Sequence, residues 1–184
     1  MEIKEYEEKY AKEISEIILN NLYKINIKDY GKEVIDRIAK HFTEEEIKRN
    51  FPERVKCFVA LKDENVVGTV SLDVIKDMYG VHIYNNKDKY IILTVFIKIE
   101  NQQQGIGKLL IKEIEKYASQ IGAKELIIPA SVYGCEFYRK LGYEFYHGIK
   151  TQNEDGEYIL SKNMWFYLDD KVEKVIMINY NLYK

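Results

Sequence analysis

The sequence predicts a mixed α/β fold, a sheet with helices packed on it, rather than a repeated βαβ array. Three observations carry this. Amphipathic helical patterns open the chain, an alternating hairpin follows, and strand, helix, strand, helix and strand then succeed one another. The 184 residues, 46% apolar and 32% charged, suffice for one domain with a sizeable core.

The elements follow in order. MEIKEY is a short first strand. In YAKEISEIILNNL, Tyr10, Ala11, Ile14, Ile17, Ile18 and Leu22 share one helical face. GKEVIDRIAKHF repeats the pattern with Val34, Ile35, Ile38, Ala39 and Phe42. Thr43 and Glu46 form a capping box that opens a third helix, and Glu44, Glu45 and Glu46 suit its positive end. RVKCFVALK alternates, with Val55, Cys57, Val59 and Leu61 on one side; DEN is a turn and VVGTVSLDV the returning arm. Residues 76–89 form a longer connection. YIILTVFIKI is apolar on both sides, as a central strand covered on both faces would be. Ile106, Leu109, Leu110, Ile114, Tyr117, Ala118 and Ile121 mark the next helix, with Lys108, Lys112, Glu113, Glu115 and Lys116 on its outer face and Gly122 ending it. KELIIPA is a buried strand. Ser131 caps a short helix that stops at Gly142. YEFYHGIK, EYILSKNMWFYL and VEKVIMINYNLY read as strands.

Charge and composition exclude several function classes. With 28 basic and 30 acidic residues the formal net charge is −2, so neither nucleic acid nor an anionic membrane is expected as partner. The first ten residues are charged and lack the apolar run of a secretory signal, and no stretch is long enough to span a bilayer. Cys57 and Cys135 have no companion at metal-ligand spacing, so reduced thiols in a cytoplasmic protein are expected, and no metal site.

NQQQGIGKLL places two glycines one residue apart between a buried strand and a helix. Helix N-termini leave amides unpaired and carry roughly +0.5 charge, and glycine lets an anion approach the backbone. The turn is therefore a phosphate cradle or a tight turn that binds nothing; the glycines alone do not decide. A Walker loop fails, because Gln102 stands where its first glycine belongs and Leu109 where Ser or Thr belongs. A dinucleotide fingerprint fails too: position 110 is Leu, and Glu125 falls at the start of its strand instead of the end.

A third pattern fits. Gln102-x-x-Gly105-x-Gly107 resembles the Q/R-x-x-G-x-G/A signature of the GNAT superfamily of acetyl-CoA-dependent N-acetyltransferases. SVYGCEFYRKLGYEFY is similar to that family's fourth-helix segment, commonly N-x-x-A-x-x-F-Y-x-K-x-G-F/Y. Phe137, Tyr138, Lys140, Gly142 and Tyr143 match, with Ser131 at the usual Asn and Gly134 at the usual Ala. The CFVALKDENVVGTVSLD hairpin looks like the second and third strands. The resemblance spans residues 1–150 and is sharpest over 90–146.

The resemblance implies a single domain, residues 1–184, with a mostly antiparallel sheet of six or seven strands. Residues 164–184 exceed what the motif region needs, and their alternating VIMIN reads as a last strand or a homodimer edge. It implies that the coenzyme A pyrophosphate rests on amides of Gln102, Gln103, Gln104, Gly105, Ile106, Gly107 and Lys108. It implies that pantetheine pairs with Val95, Phe96 and Ile97 where YIILTVFIKIE and KELIIPA splay apart. Ser131 bonds the pantetheine or merely caps its helix. Tyr138 donates a proton to the leaving sulfur or is a buried aromatic. Several family members carry a Glu on the fourth strand as base, but Ile91 stands here, leaving His82, Asp73 or a water chain. Cys135, in a helix's first turn, is an acyl-carrying nucleophile or a small buried side chain. The expected activity is acetyl transfer from acetyl-CoA to a primary amine of a small molecule, peptide or protein. The acceptor site is expected near residues 23–51 and 79–84. The rival readings are a non-catalytic acyl-CoA sensor of the same fold and a structural or interaction protein.

Overall fold

The computed structural model describes residues 1–76, 83, 86–153 and 156–164. Strand β1 (Glu2–Glu5) precedes helix α1 (Ala11–Asn21), whose Ile14 and Ile18 are fully buried. A π-helical turn, Leu22–Asn26, leads directly into α2 (Ile27–Ala39). This second helix starts before Gly31, where the sequence pattern begins, and breaks there because Gly31 adopts φ 76°. Helix α3 (Glu44–Asn50) opens as expected: the Thr43 hydroxyl accepts from the Glu46 amide at 3.3 Å. The Glu46 carboxylate turns forward to Arg49 and Asn50.

Strands β2 (Lys56–Lys62) and β3 (Asn65–Val74) form the hairpin, turning through Asp63 and Glu64 at positive φ. Then come β4 (Lys89–Ile97), α4 (Ile106–Gln120), β5 (Glu125–Ala130), α5 (Cys135–Lys140), β6 (Glu144–Phe145) and β7 (Tyr158–Asn163). The described strands make one seven-stranded sheet in the order β1-β2-β3-β4-β5-β7-β6. Every pairing is antiparallel except β4 with β5. This is the mixed, mostly antiparallel architecture that the sequence predicts.

The sheet is buried on both faces. Cys57, Val59 and Leu61 of β2 pack with α1, α2 and α3, while Ala60, Val70 and Leu72 pack with Leu110, Ile111 and Ile114 of α4. Val55 departs from the predicted alternation: it lies ahead of β2 and packs with the α4 cluster. Among the described residues no helix is long and apolar enough to cross a membrane.

Other departures have physical causes. The strand expected for YEFYHGIK is reduced to Glu144–Phe145, because the chain turns at Tyr146–Gly148 with His147 at φ 52°. The buried stripe of α4 runs through Ile106, Leu110, Ile111, Ile114 and Ala118, whereas Leu109 and Ile121 are 45% and 37% exposed. Glu115, assigned above to the outer face, is 2% exposed. Its carboxylate accepts from the Tyr143 hydroxyl and from Lys162 Nζ, each at 2.9 Å. Lys162 also donates to the Leu141 carbonyl at 3.0 Å. A carboxylate on α4 thus ties β7 and the turn after α5 to the core. The VIMIN strand and the dimer edge proposed from it lie outside the described residues.

A buried ion pair tolerates removal of both partners better than of one. Glu115→Ala is expected to cost about 3–5 kcal/mol in urea unfolding, with Glu115→Leu combined with Lys162→Met recovering most of it. Equal losses in the single and double variants would show that the pair is not the source of the cost.

Candidate active site

The site arises where two strands part. β4 and β5 are in register over Lys89↔Glu125, Tyr90↔Leu126 and Ile91↔Ile127, and no further. On the β4 side, Thr94 takes φ 51° and the register with β3 shifts between Thr69 and Ser71. This bulge turns the rest of β4. On the β5 side, pairing with β7 continues to Ala130↔Tyr158, and Pro129 brings no N–H with which to rejoin β4. Between the diverging strands lies a cavity of about 610 Å³. Its walls come from both strands, from α1 and α2 on one face, and from α5 and the start of α4 on the other.

The glycine turn closes one end. Gln103 (φ 59°) and Gly105 (φ 81°) are both left-handed, and Gly105 sits at the N-cap of α4 with no side chain to cap it. The Asn101 and Gln102 amides are spent on the carbonyls of Lys98 and Ile99, and the Leu109 amide on that of Gly105. Among the described residues nothing accepts from the amides of residues 103–108. A run of such donors at the positive end of a fifteen-residue helix suits an anion. Gly107 has a separate reason to be glycine: a Cβ there would lie 3.0 Å from the Phe137 ring, so its absence lets α5 sit against the first turn of α4.

Gln102 has a structural task that its sequence position did not reveal. Its Nε2 donates to Asn21 Oδ1 at 2.9 Å and to the Ile97 carbonyl at 3.3 Å, while Asn21 Nδ2 donates to the same carbonyl at 2.9 Å. Asn21 is 4% exposed. The end of α1, the end of β4 and the glycine turn are therefore bolted together. The Tyr133 hydroxyl reaches Gln102 Oε1 at 3.4 Å from the segment after β5, spanning the cleft.

The predicted residues can now be placed. Val95, Phe96, Ile97, Gln102, Gln103, Gly105, Ile106, Gly107, Lys108, Ser131 and Tyr138 all border the cavity. Gln104 does not; its side chain turns away to the Glu100 carbonyl at 3.2 Å. The Ser131 hydroxyl accepts from the Gly134 amide at 3.0 Å, as a cap would. The Tyr138 phenol is held well above its usual range, first by burial and second by the charge of Glu157. Asp73 is off the cavity wall, ion-paired to Lys76 at 2.8 Å and accepting from the Val74 amide. Ile91 is fully buried in the paired part of β4, against Ile127. His82, and the 79–84 loop except Ile83, lie outside the described residues.

Three further wall residues carry polar chemistry: Tyr30, within the 23–51 region expected to hold the acceptor, and Arg54 and Glu157, which the sequence did not single out. Tyr30 reaches across from α2, its hydroxyl accepting from the Val132 amide at 3.3 Å, and burial followed by Glu157 raises its phenol to about 12. Arg54 lies over the Phe51 ring and donates to Ser71 and Thr94 beside the bulge. Nothing in the spacing of these side chains along the chain links them to the glycine turn; only the tertiary fold does.

Comparison with known proteins agrees with this geometry. A family model described as Acetyltransferase (GNAT) family matches residues 19–143. No curated protein matches the chain. Among solved structures, the chain is similar to a PaiA N-acetyltransferase from Thermoplasma acidophilum in complex with coenzyme A, with 20% identity, TM-score 0.71, and coverage of 88% of this chain and 98% of that one. It is also similar to a ribosomal-protein-alanine N-acetyltransferase from Brucella melitensis, with 16% identity, TM-score 0.63, and coverage of 89% and 99%. An aminoglycoside 6'-N-acetyltransferase complexed with coenzyme A aligns with 15% identity, TM-score 0.62, and coverage of 89% and 97%.

The cysteines offer no activated thiolate. Burial pushes the Cys57 thiol up to about 12, and burial followed by Glu136 raises Cys135. At pH 8 the folded protein should leave both thiols unreacted with a chromogenic disulfide over minutes, and both should titrate in guanidinium. Rapid reaction at Cys135 would restore the acyl-cysteine reading.

Proposed function

Because the chain belongs to the GNAT acetyltransferase family, we propose that it transfers the acetyl group of acetyl-CoA to a primary amine by direct attack. The observation that carries the reading is the run of unclaimed amides over residues 103–108 beside the gap between β4 and β5. A pyrophosphate needs such donors, and a pantetheine arm needs an open strand edge. Both are present and adjacent.

In this reading Gln103, Gly105, Ile106, Gly107 and Lys108 receive the pyrophosphate through backbone amides, Lys108 adding its charge. Gln102 shapes the turn with its side chain. Gln104 contributes its amide, since its side chain is engaged elsewhere. Val95, Phe96 and Ile97 offer backbone groups to the pantetheine, and Ser131 faces it from β5. The acetyl group then lies between the bulge at Thr94 and the Tyr138 hydroxyl.

The amine nitrogen attacks the thioester carbonyl, and collapse of the tetrahedral intermediate breaks the C–S bond. Tyr138 serves the departing sulfur. Its phenol is held above the ordinary value, so the hydroxyl is protonated at every working pH. Outright proton loss from so weak an acid to a thiolate is uphill. Tyr138 therefore relays: it gives its proton to sulfur as the nitrogen, cationic after attack, surrenders one in return.

Acetyl-CoA should bind with one-to-one stoichiometry by calorimetry, and an amine panel should give amine-dependent thiol release. Tyr138→Phe should lower kcat by about 100-fold or more, within the range of a lost general acid, with acetyl-CoA affinity unchanged. Unaltered turnover would remove Tyr138 from the chemistry.

A further inference from the structure

Glu157 supplies the group that the proposed reaction still lacks. Among the described residues, the cavity wall carries one carboxylate, that of Glu157, and no imidazole. Glu157 directly precedes the last β5–β7 pair, Ala130↔Tyr158, which brings its backbone beside Ser131 at the end of β5. Asn153 sets its orientation, with Nδ2 donating to Glu157 Oε2 at 3.2 Å and Oδ1 accepting from the Glu157 amide at 2.8 Å. The backbone closes the same turn, since the Asn153 amide donates to the Glu157 carbonyl at 2.9 Å. Gly156 lies against the Tyr30 ring, where a Cβ would come within 3.2 Å. Glu157 thus borders the same cavity as Tyr30 of α2 and Tyr138 of α5, and its charge reaches both phenols.

The remaining ionisable groups of the wall are Tyr30, Tyr133, Tyr138, Arg54 and Lys108. None of them is an anion at neutral pH. Among the described residues an ammonium entering the cavity therefore has one carboxylate to meet. The helical wall beyond is largely aliphatic and aromatic, with Leu22, Ile25, Ile35, Ile38 and Phe42 beside the neutral Asn21, Asn26 and Tyr30. Such a wall accepts an apolar body and penalises a second charge.

We infer that Glu157 receives the ammonium of the acceptor and takes its proton, and that the acceptor is a primary monoamine on an apolar body. The inference rests on the transferase reading above. The Glu157 carboxylate removes one proton from R–NH3⁺, leaving the lone pair that forms the C–N bond. The C–S bond breaks as the carbonyl re-forms. The second nitrogen proton goes through Tyr138 to the sulfur, and the proton on Glu157 leaves to solvent. The products are the acetamide, the free thiol and one proton.

The test uses the full chain, acetyl-CoA, and 2-phenylethylamine as the apolar monoamine, with spermidine as the polycation. The wild type should release thiol with 2-phenylethylamine at a kcat/KM at least tenfold above spermidine. Glu157→Gln should lower kcat/KM for 2-phenylethylamine about 100-fold or more at pH 7, and the deficit should narrow as the pH rises towards the amine's own pKa near ~10, where neutral amine arrives unaided. Glu157→Asp, which keeps the charge, should retain more activity than Glu157→Gln and stands in for it if the latter fails to fold. A preference for spermidine, a Glu157→Gln rate within threefold of wild type, or a deficit equal at all pH values would overturn the inference. Calorimetry with acetyl-CoA on the same samples separates the layers. Intact binding alongside those outcomes condemns the role of Glu157 alone, whereas no binding by the wild type condemns the transferase reading itself.

Discussion

The short parallel seam between β4 and β5 is the constraint on which the rest of the molecule depends. Its three residue pairs hold the two halves of the sheet together at one end. Had it continued, the sheet would be closed, with no gap to reach from solvent. Its end has local causes on both sides: the left-handed Thr94 within a bulge and the amide-less Pro129. The antiparallel partners of each strand continue past that point, with Phe96 and Ile97 still paired to β3, and Ile128, Pro129 and Ala130 to β7. The gap is therefore a feature that the flanking pairings hold open.

Around that gap, packing and hydrogen bonding divide the work of shaping one turn. Gly107 admits the Phe137 ring, Gly105 supplies the left-handed cap, and the Gln102–Asn21 pair anchors the turn to α1 and β4. None of these contacts consumes the amides over residues 103–108. The side chains build the turn, and the backbone is left to bind. This explains why glutamine can stand where the family signature also allows arginine: here the position fills an anchoring role that an amide side chain performs well.

Local signals made most of the fold legible. Apolar periodicity located α1, α4 and the β2–β3 hairpin, Thr43 with Glu46 located α3, and positive-φ glycines at 122 and 142 ended helices where expected. The glycine turn was legible because its chemistry is contiguous. The failures share one physical origin, since they concern partners distant along the chain. Glu115 reads as an outer-face charge until Lys162 and Tyr143, far along the sequence, come to meet it. Glu157 reads only as the first residue of a strand until β7 carries it to the cavity wall. Leu109 is apolar at a helical spacing, but Ile111 is the residue that packs into the core with the sheet in its place. Pattern gives the face that could be buried; the partner decides which residues are.

Strand β1 carries one further consequence. It forms the outer margin of the described sheet, hydrogen-bonded to β2 on one side only. Its sequence is EIKE, with Lys4 paired to Glu2 and Glu5 to Lys56. A second molecule seeking to add a strand there would have to strip water from a row of alternating charges in return for one isoleucine. The margin thus works as a guard against runaway stacking between copies, the hazard that any unfinished sheet carries when protein is concentrated.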